Sequence, residues 1–126
     1  MILLDTHVLV WALLTPKRLS STARKALDAN VSKLALSAVV GYEIEFKRDR
    51  DPLIGAMPRD LVRATSALGF HWWPVTPEHA SFAGELPWHH GDPLDRVLIA
   101  QALSADVPVV SSDRKFSMYQ GLTVVW

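Results

Sequence analysis

The chain has 126 residues, 49% of them hydrophobic, with thirteen basic and thirteen acidic residues that cancel to a formal net charge of zero. That length and apolar content predict one domain over residues 1–126 with a packed core, and they exclude a disordered chain. The absence of cysteine excludes disulfides and thiolate metal sites, so any metal must be held by oxygen or imidazole, and zero net charge argues against a binder that relies on phosphate neutralisation alone.

In chain order, Ile2-Leu3-Leu4 is a short, fully apolar run and reads as a buried parallel strand. Thr6 to Leu14 follows as a helix that stops before Pro16. Ser20 or Ser21 can cap a second helix running to about Ala29, with Ala23, Ala26 and Leu27 on one face. Lys33 to Leu36 is a second strand. Ser37 then caps a helix to about Arg48, with Val39, Val40, Ile44 and Phe46 as its apolar positions. Asp49 to Pro58, holding Pro52, Gly55 and Pro58, reads as a loop. A helix from about Arg59 to Leu68 ends at Gly69, and Trp72 to Val75 forms a third strand. Pro77 opens a short helix ending near Gly84. After a loop, Asp92-Pro93 opens a long helix through Ala105 that buries Leu94, Val97, Leu98, Ala102 and Ala105. Pro108 to Ser111 is a fourth strand, and Thr123 to Val125 an edge strand. Strands alternating with helices predict an α/β protein in three layers, helices on both faces of a central parallel sheet of four to five strands.

Neither end of the chain reads as a targeting segment. The run from Met1 ends at Asp5 with no basic stretch ahead of it. The apolar stretch from His7 to Leu14 is too short to span a bilayer. The expectation is a soluble, cytoplasmic protein with no membrane contact.

Ligands of open parallel sheets bind beyond the carboxyl ends of the strands. Asp5 directly follows the first strand and Asp113 the fourth, while Asp92 and Asp95 open the last long helix. Glu43 lies in the second turn of the helix after strand two, at the edge of its core-facing stripe. Four acids converging there would raise one another's pKa. A hard divalent cation relieves that repulsion, prefers oxygen ligands and retains water for chemistry. Each acid alone also has an ordinary explanation. Asp5 and Asp92 suit helix caps, Asp95 a first helical turn, Glu43 an i,i+4 pair with Lys47, and Asp113 a turn with Arg114 and Lys115.

Ile2-Leu3-Leu4-Asp5-Thr6-His7, Leu36-Ser37-Ala38-Val39 through Glu43-Ile44, Leu86-Pro87 through His90-Gly91-Asp92-Pro93-Leu94-Asp95-Arg96, and Val109-Val110-Ser111-Ser112-Asp113 resemble the motifs of the PIN-domain family, in particular its VapC-type toxins, over nearly the whole chain. The Asp-Pro-x-Asp-Arg block is the most specific of these. The resemblance implies that Asp5, Glu43, Asp95 and Asp113 form the metal-binding and catalytic site, with Asp92 a bordering helix cap. It implies Mg²⁺- or Mn²⁺-dependent cleavage of RNA, a five-stranded parallel sheet, a homodimer, and a cognate antitoxin whose C-terminal segment wraps the toxin and blocks the acids. Three positions depart from the family pattern: Gly41 within the helix carrying Glu43, and Gly91 and Leu94 where a basic and an aromatic residue are common.

Among secondary candidates, Arg114 and Lys115 flank the acids and are the RNA-backbone contacts expected from position. His90 stands beside Asp92, and whether it joins the site is open at this stage. Arg96 is expected to pair with a neighbouring acid, and Trp11, Phe46, Trp72, Trp73 and Trp88 to pack in the core. Two other functions compete. One is a non-catalytic RNA- or protein-binding PIN-like module that keeps its acids for structure. The other is a metal-dependent phosphotransfer domain, which fits poorly because Asp5-Thr6-His7 lacks the paired acids such domains place after strand one.

Overall fold

A computed structural model describes all of residues 1–126. Five strands form one parallel sheet: β1 (Ile2–Leu4), β2 (Leu34–Ser37), β3 (His71–Trp73), β4 (Val109–Val110) and β5 (Val124–Val125). Their spatial order is β3-β2-β1-β4-β5. The helices are α1 (Thr6–Leu14), α2 (Ser21–Ala29), α3 (Ala38–Lys47), α4 (Pro52–Gly55), α5 (Leu61–Ala67), α6 (Pro77–Glu85) and α7 (Pro93–Ala105). None is long and apolar enough to cross a membrane.

The central strand explains the layering. Successive side chains of a strand point to opposite faces, and all three residues of β1 are buried. Ile2 and Leu4 enter a core with residues of α1 to α5, among them Leu9, Val40, Ile44, Ile54 and Leu61. Leu3 faces a second core built from Ala83 of α6 and Leu98, Ile99 and Ala102 of α7, closed by Phe116 and Tyr119. Apolar side chains on both faces of every inner strand require a helical layer on each side.

Strand order turns the topology into a functional prediction. The chain builds outward from β1 through β2 to β3, then returns to lay β4 on the other side of β1. The crevice between the carboxyl ends of β1 and β4 is therefore the switch point of the sheet, where open α/β folds bind their ligands. Asp5 and Asp113 flank it.

Several local expectations are corrected. The Asp49–Pro58 loop contains the short helix α4, because Asp51 accepts from the backbone N–H groups of Leu53 and Ile54 and Pro52 sits at its first position. β3 begins at His71 and ends at Trp73, earlier than the apolar run suggests. On α3 the buried stripe is Val40, Glu43 and Ile44, while Phe46 is 52% exposed. On α7 Ala105 is exposed, and the buried face runs from Arg96 through Ala102. Trp88 is also no core residue: it is 79% exposed, and its ring lies against the Arg96 guanidinium at 4.7 Å. Gly41 has a packing role. A Cβ there would stand 3.3 Å from the Trp72 ring, so its absence lets α3 lie against β3.

Candidate functional site

Each acid is placed by the end of a strand or the start of a helix. Asp5 is the N-cap of α1 and Asp92 the N-cap of α7. Asp95 sits in the first turn of α7. Asp113 caps the 3-10 turn Arg114–Met118, accepting from the Lys115 N–H at 2.9 Å. Glu43 is buried on the inner face of α3. Ser37 starts that helix by accepting from the Val39 N–H.

Hydrogen bonds run from Glu43 through Asp5 to Asp113 and His90, and Asp95 lies against His90 at the end of that chain. Thr6 donates its hydroxyl to Glu43 Oε1, and its backbone N–H donates to Asp5 Oδ1 at 2.7 Å. On the other side of Asp5, Ser111 Oγ donates to Oδ2 at 2.8 Å. Ser111 Oγ in turn accepts the Asp113 N–H at 3.1 Å. His90 Nε2 lies 2.8 Å from Asp113 Oδ2 and 2.9 Å from Asp95 Oδ2. One ligand atom from each of His90, Asp95 and Asp113 falls within 4.8 Å of the others. Asp5, Glu43, Asp95 and Asp113 thus line the same crevice, with Asp5 and Glu43 outside that three-residue group and Asp92 bordering it as a cap.

Electrostatics follow from this crowding. Burial pushes the Asp95 carboxyl up to about 8, and the neighbouring Asp5, Asp92, Glu43 and Asp113 charges add to the rise. Burial also raises Asp5, opposed by its hydrogen bond from Ser111. Lys47 Nζ approaches Glu43 Oε2 at 2.6 Å and is held above its ordinary value, first by that hydrogen bond. Two internal groups, Lys47 and His90, therefore stand where a cation would relieve the acids.

The donor set fits a hard divalent ion. It consists of carboxylate oxygens from four separate elements, and Asp95 Oδ1 accepts none of the hydrogen bonds that occupy its neighbours. A carboxyl kept protonated near neutral pH by burial, with other carboxyls adding to the rise, is a site short of positive charge.

The i,i+4 pair of Glu43 with Lys47 is present as the sequence reading had it, whereas Thr6 and Ser111 have no separate role in that reading, although each sits within two residues of an acid and carries a hydroxyl able to donate. His90 is buried inside the site. Arg114 and Lys115 are exposed beside Asp113. Arg96 pairs with no acid. It is buried and donates to the carbonyls of Ala83, Leu86, Pro87 and His90 at 2.7–3.1 Å, suspending the loop that carries His90. The largest cavity, 660 Å³, lies between α6 and α7 beside Trp88 and holds no acid.

A three-layer α/β/α fold with buried acids at the β1/β4 crevice defines a class of protein, and comparison with known sequences gives its family. The PIN domain matches residues 2–122, and the chain belongs to that family. It is 29% identical over 125 residues to Ribonuclease VapC22 of Mycobacterium tuberculosis, covering 94% of this chain and 92% of that one. Among solved structures it resembles the sarcin–ricin loop cleaving toxin VapC20 of M. tuberculosis, with TM-score 0.68 and 15% identity over 98% of this chain and 99% of that one. It also resembles FitAcB of Neisseria gonorrhoeae, with TM-score 0.70 and 16% identity over 98% and 96%. These structural likenesses are of fold.

Proposed function

We propose that this chain is a Mg²⁺- or Mn²⁺-dependent endoribonuclease, the toxin of a VapBC-type toxin–antitoxin pair. The observation that carries this reading is the hydrogen-bonded chain Glu43–Thr6–Asp5–Ser111–Asp113–His90 at the β1/β4 crevice, with Asp95 2.9 Å from His90 at its end. Family membership and the likeness to Ribonuclease VapC22 support the same activity.

Asp5, Glu43, Asp95 and Asp113 are the residues that would hold the metal. A bound divalent ion there would make water more acidic and neutralise charge developing on phosphoryl oxygens. The chain's own residues prepare that site. Thr6 and Ser111 fix both oxygens of Asp5, and Thr6 orients Glu43 through its hydroxyl. Arg114 and Lys115 are placed to receive the RNA backbone. In-line attack by water on phosphorus leaves 5′-phosphate and 3′-hydroxyl ends, because the ribose 2′-hydroxyl takes no part. The protein acts as a homodimer in the cytoplasm until its antitoxin covers the acids.

One observation favours a second reading. Lys47 already neutralises part of the acidic cluster, and His90 lies against Asp95 and Asp113, as they would in a non-catalytic module. Cleavage of structured and single-stranded RNA, assayed with Mg²⁺, Mn²⁺ or chelator, separates the two. The nuclease reading expects cleavage that stops with chelator and falls at least a hundredfold in Asp5→Asn. Undiminished cleavage in either condition refutes the metal mechanism, and no cleavage of any RNA favours the module.

A further inference from the structure

We propose that His90 is a positioning residue of the acidic site: an imidazole locked as an Nε2–H donor that ties Asp95 to Asp113 through their Oδ2 atoms and leaves their other lone pairs to a divalent cation, instead of ligating the cation itself. The proposal rests on the metal-site reading above. By distance alone, His90, Asp95 and Asp113 look like a three-ligand metal group. The ring's other nitrogen decides otherwise.

His90 Nδ1 accepts the backbone N–H of Asp92 at 3.1 Å. A ring nitrogen that accepts keeps its lone pair, so the proton resides on Nε2. That proton is shared with Asp113 Oδ2 at 2.8 Å, and Asp95 Oδ2 lies 2.9 Å from the same nitrogen. Ligation through Nε2 would move the proton to Nδ1, where it would face the Asp92 N–H, one donor against another. Turning the ring offers no escape. Phe116 meets it edge-on at 5.8 Å, the His90 N–H donates to the Tyr119 hydroxyl, and the His90 carbonyl accepts from Arg96. Asp92 is moreover the N-cap of α7, and Asp95 lies one turn further along that helix. The bond that fixes the tautomer thus also ties the imidazole to the helix bearing Asp95.

The two carboxylates are left with different freedom. Asp113 Oδ1 already accepts from Lys115, so its Oδ2 is shared with His90. Asp95 Oδ1 takes no hydrogen bond, and with Oδ2 2.9 Å from His90 Nε2 it is the oxygen offered to a cation. His90 acts through both acids and touches neither metal nor substrate.

Long-range ¹H–¹⁵N NMR of the whole protein, with chelator and then with saturating Mg²⁺, reads the tautomer directly. The His90 resonance is assigned by its loss in variants. Proton on Nε2 and none on Nδ1 in both states is the expected result; a proton on Nδ1, or its arrival there with Mg²⁺, overturns the proposal. Mn²⁺ affinity by electron paramagnetic resonance gives a second readout. His90→Gln can return a donor near the Nε2 position and should bind Mn²⁺ within about threefold of wild type. His90→Asn returns only the acceptor for the Asp92 N–H and should bind at least tenfold more weakly. The reverse order would make His90 a loop brace, and equal losses in both variants would make it a ligand; either overturns the proposal alone. A wild-type protein that binds no Mn²⁺ overturns the metal-site reading and the positioning role with it.

Discussion

Asp95→Asn should stabilise the metal-free protein while removing its response to metal, and the size of both effects follows from the burial of one carboxyl. An acid whose value in the fold lies above its ordinary 3.8 binds its proton more tightly folded than unfolded. Its contribution to stability is therefore present at low pH and is lost as pH rises from about 4 to about 8. Unscreened, that interval corresponds to about 6 kcal/mol at 1.36 kcal/mol per pH unit. The Asp95 side chain keeps 18% of its exposure, so water screens the repulsion, and about 2 kcal/mol is the magnitude to expect. Asparagine has nothing to ionise and can still accept from His90. In chelator at pH 8, urea denaturation should place Asp95→Asn about 2 kcal/mol above wild type, narrowing to under about 1 kcal/mol at pH 4.5. Magnesium should reverse the order: at a hundred times its dissociation constant it adds about 2.7 kcal/mol to the wild type and little to the variant. A variant no more stable than wild type at pH 8 in chelator, or one equally stabilised by Mg²⁺, would refute the reasoning.

The same carboxyl sets the pH dependence of binding. Below about pH 8 a metal must displace the Asp95 proton, so Mn²⁺ affinity should climb by up to about tenfold per pH unit and level off above that point; titrations at pH 6, 7, 8 and 9 check this, and a flat profile contradicts it. Arg96→Met removes a buried guanidinium from four carbonyls and should destabilise the fold by about 3 kcal/mol in urea titrations; a loss under about 1 kcal/mol would mean the loop stands without it. Lys47→Met frees Glu43 from its internal cation. Mn²⁺ binding by calorimetry should then tighten about twofold, because an ion no longer competes with an ammonium worth about 0.5 kcal/mol at a partly exposed pair; weaker binding would show that Lys47 supports the site.

Periodicity and caps made most of the fold legible, because the signals are local. Ile2–Leu4 has no polar residue to put on either face, and Asp92-Pro93 marks the start of α7 unambiguously. What stayed hidden depends on contacts distant in sequence. Helix α4 hangs on the Asp51 side chain inside a segment whose two flanking prolines read as loop. Phe46 looks apolar at helical spacing, but it stacks on Tyr42 at 5.7 Å and carries Arg50 above its ring, so it stays outside the core. Strand ends located Asp5 and Asp113, and no periodicity could reveal that Ser111 and His90 lie between those acids and their neighbours. Arg96 deceived for a related reason. Next to an acid in sequence, it points the other way on the helix and finds main-chain oxygens.

A neutral protein with four buried or half-buried acids at one crevice raises the question of how the fold survives without a cation. Helix ends supply part of the answer. Asp5 and Asp95 lie at the starts of α1 and α7, where unpaired N–H groups and the positive end of the dipole favour negative charge. Donors from the chain supply more: Thr6, Ser111, Lys47 and His90 each meet a carboxylate oxygen. What they leave uncompensated falls on Asp95, with one free oxygen and its carboxyl pushed up to about 8, and on Asp5, which burial also raises. The fold has in effect gathered its residual electrostatic strain onto two carboxyls, Asp95 and Asp5, at the switch point. A divalent cation is the ligand whose binding would release it, and that makes the metal-free stability of the protein and the affinity of the site two measurements of one quantity.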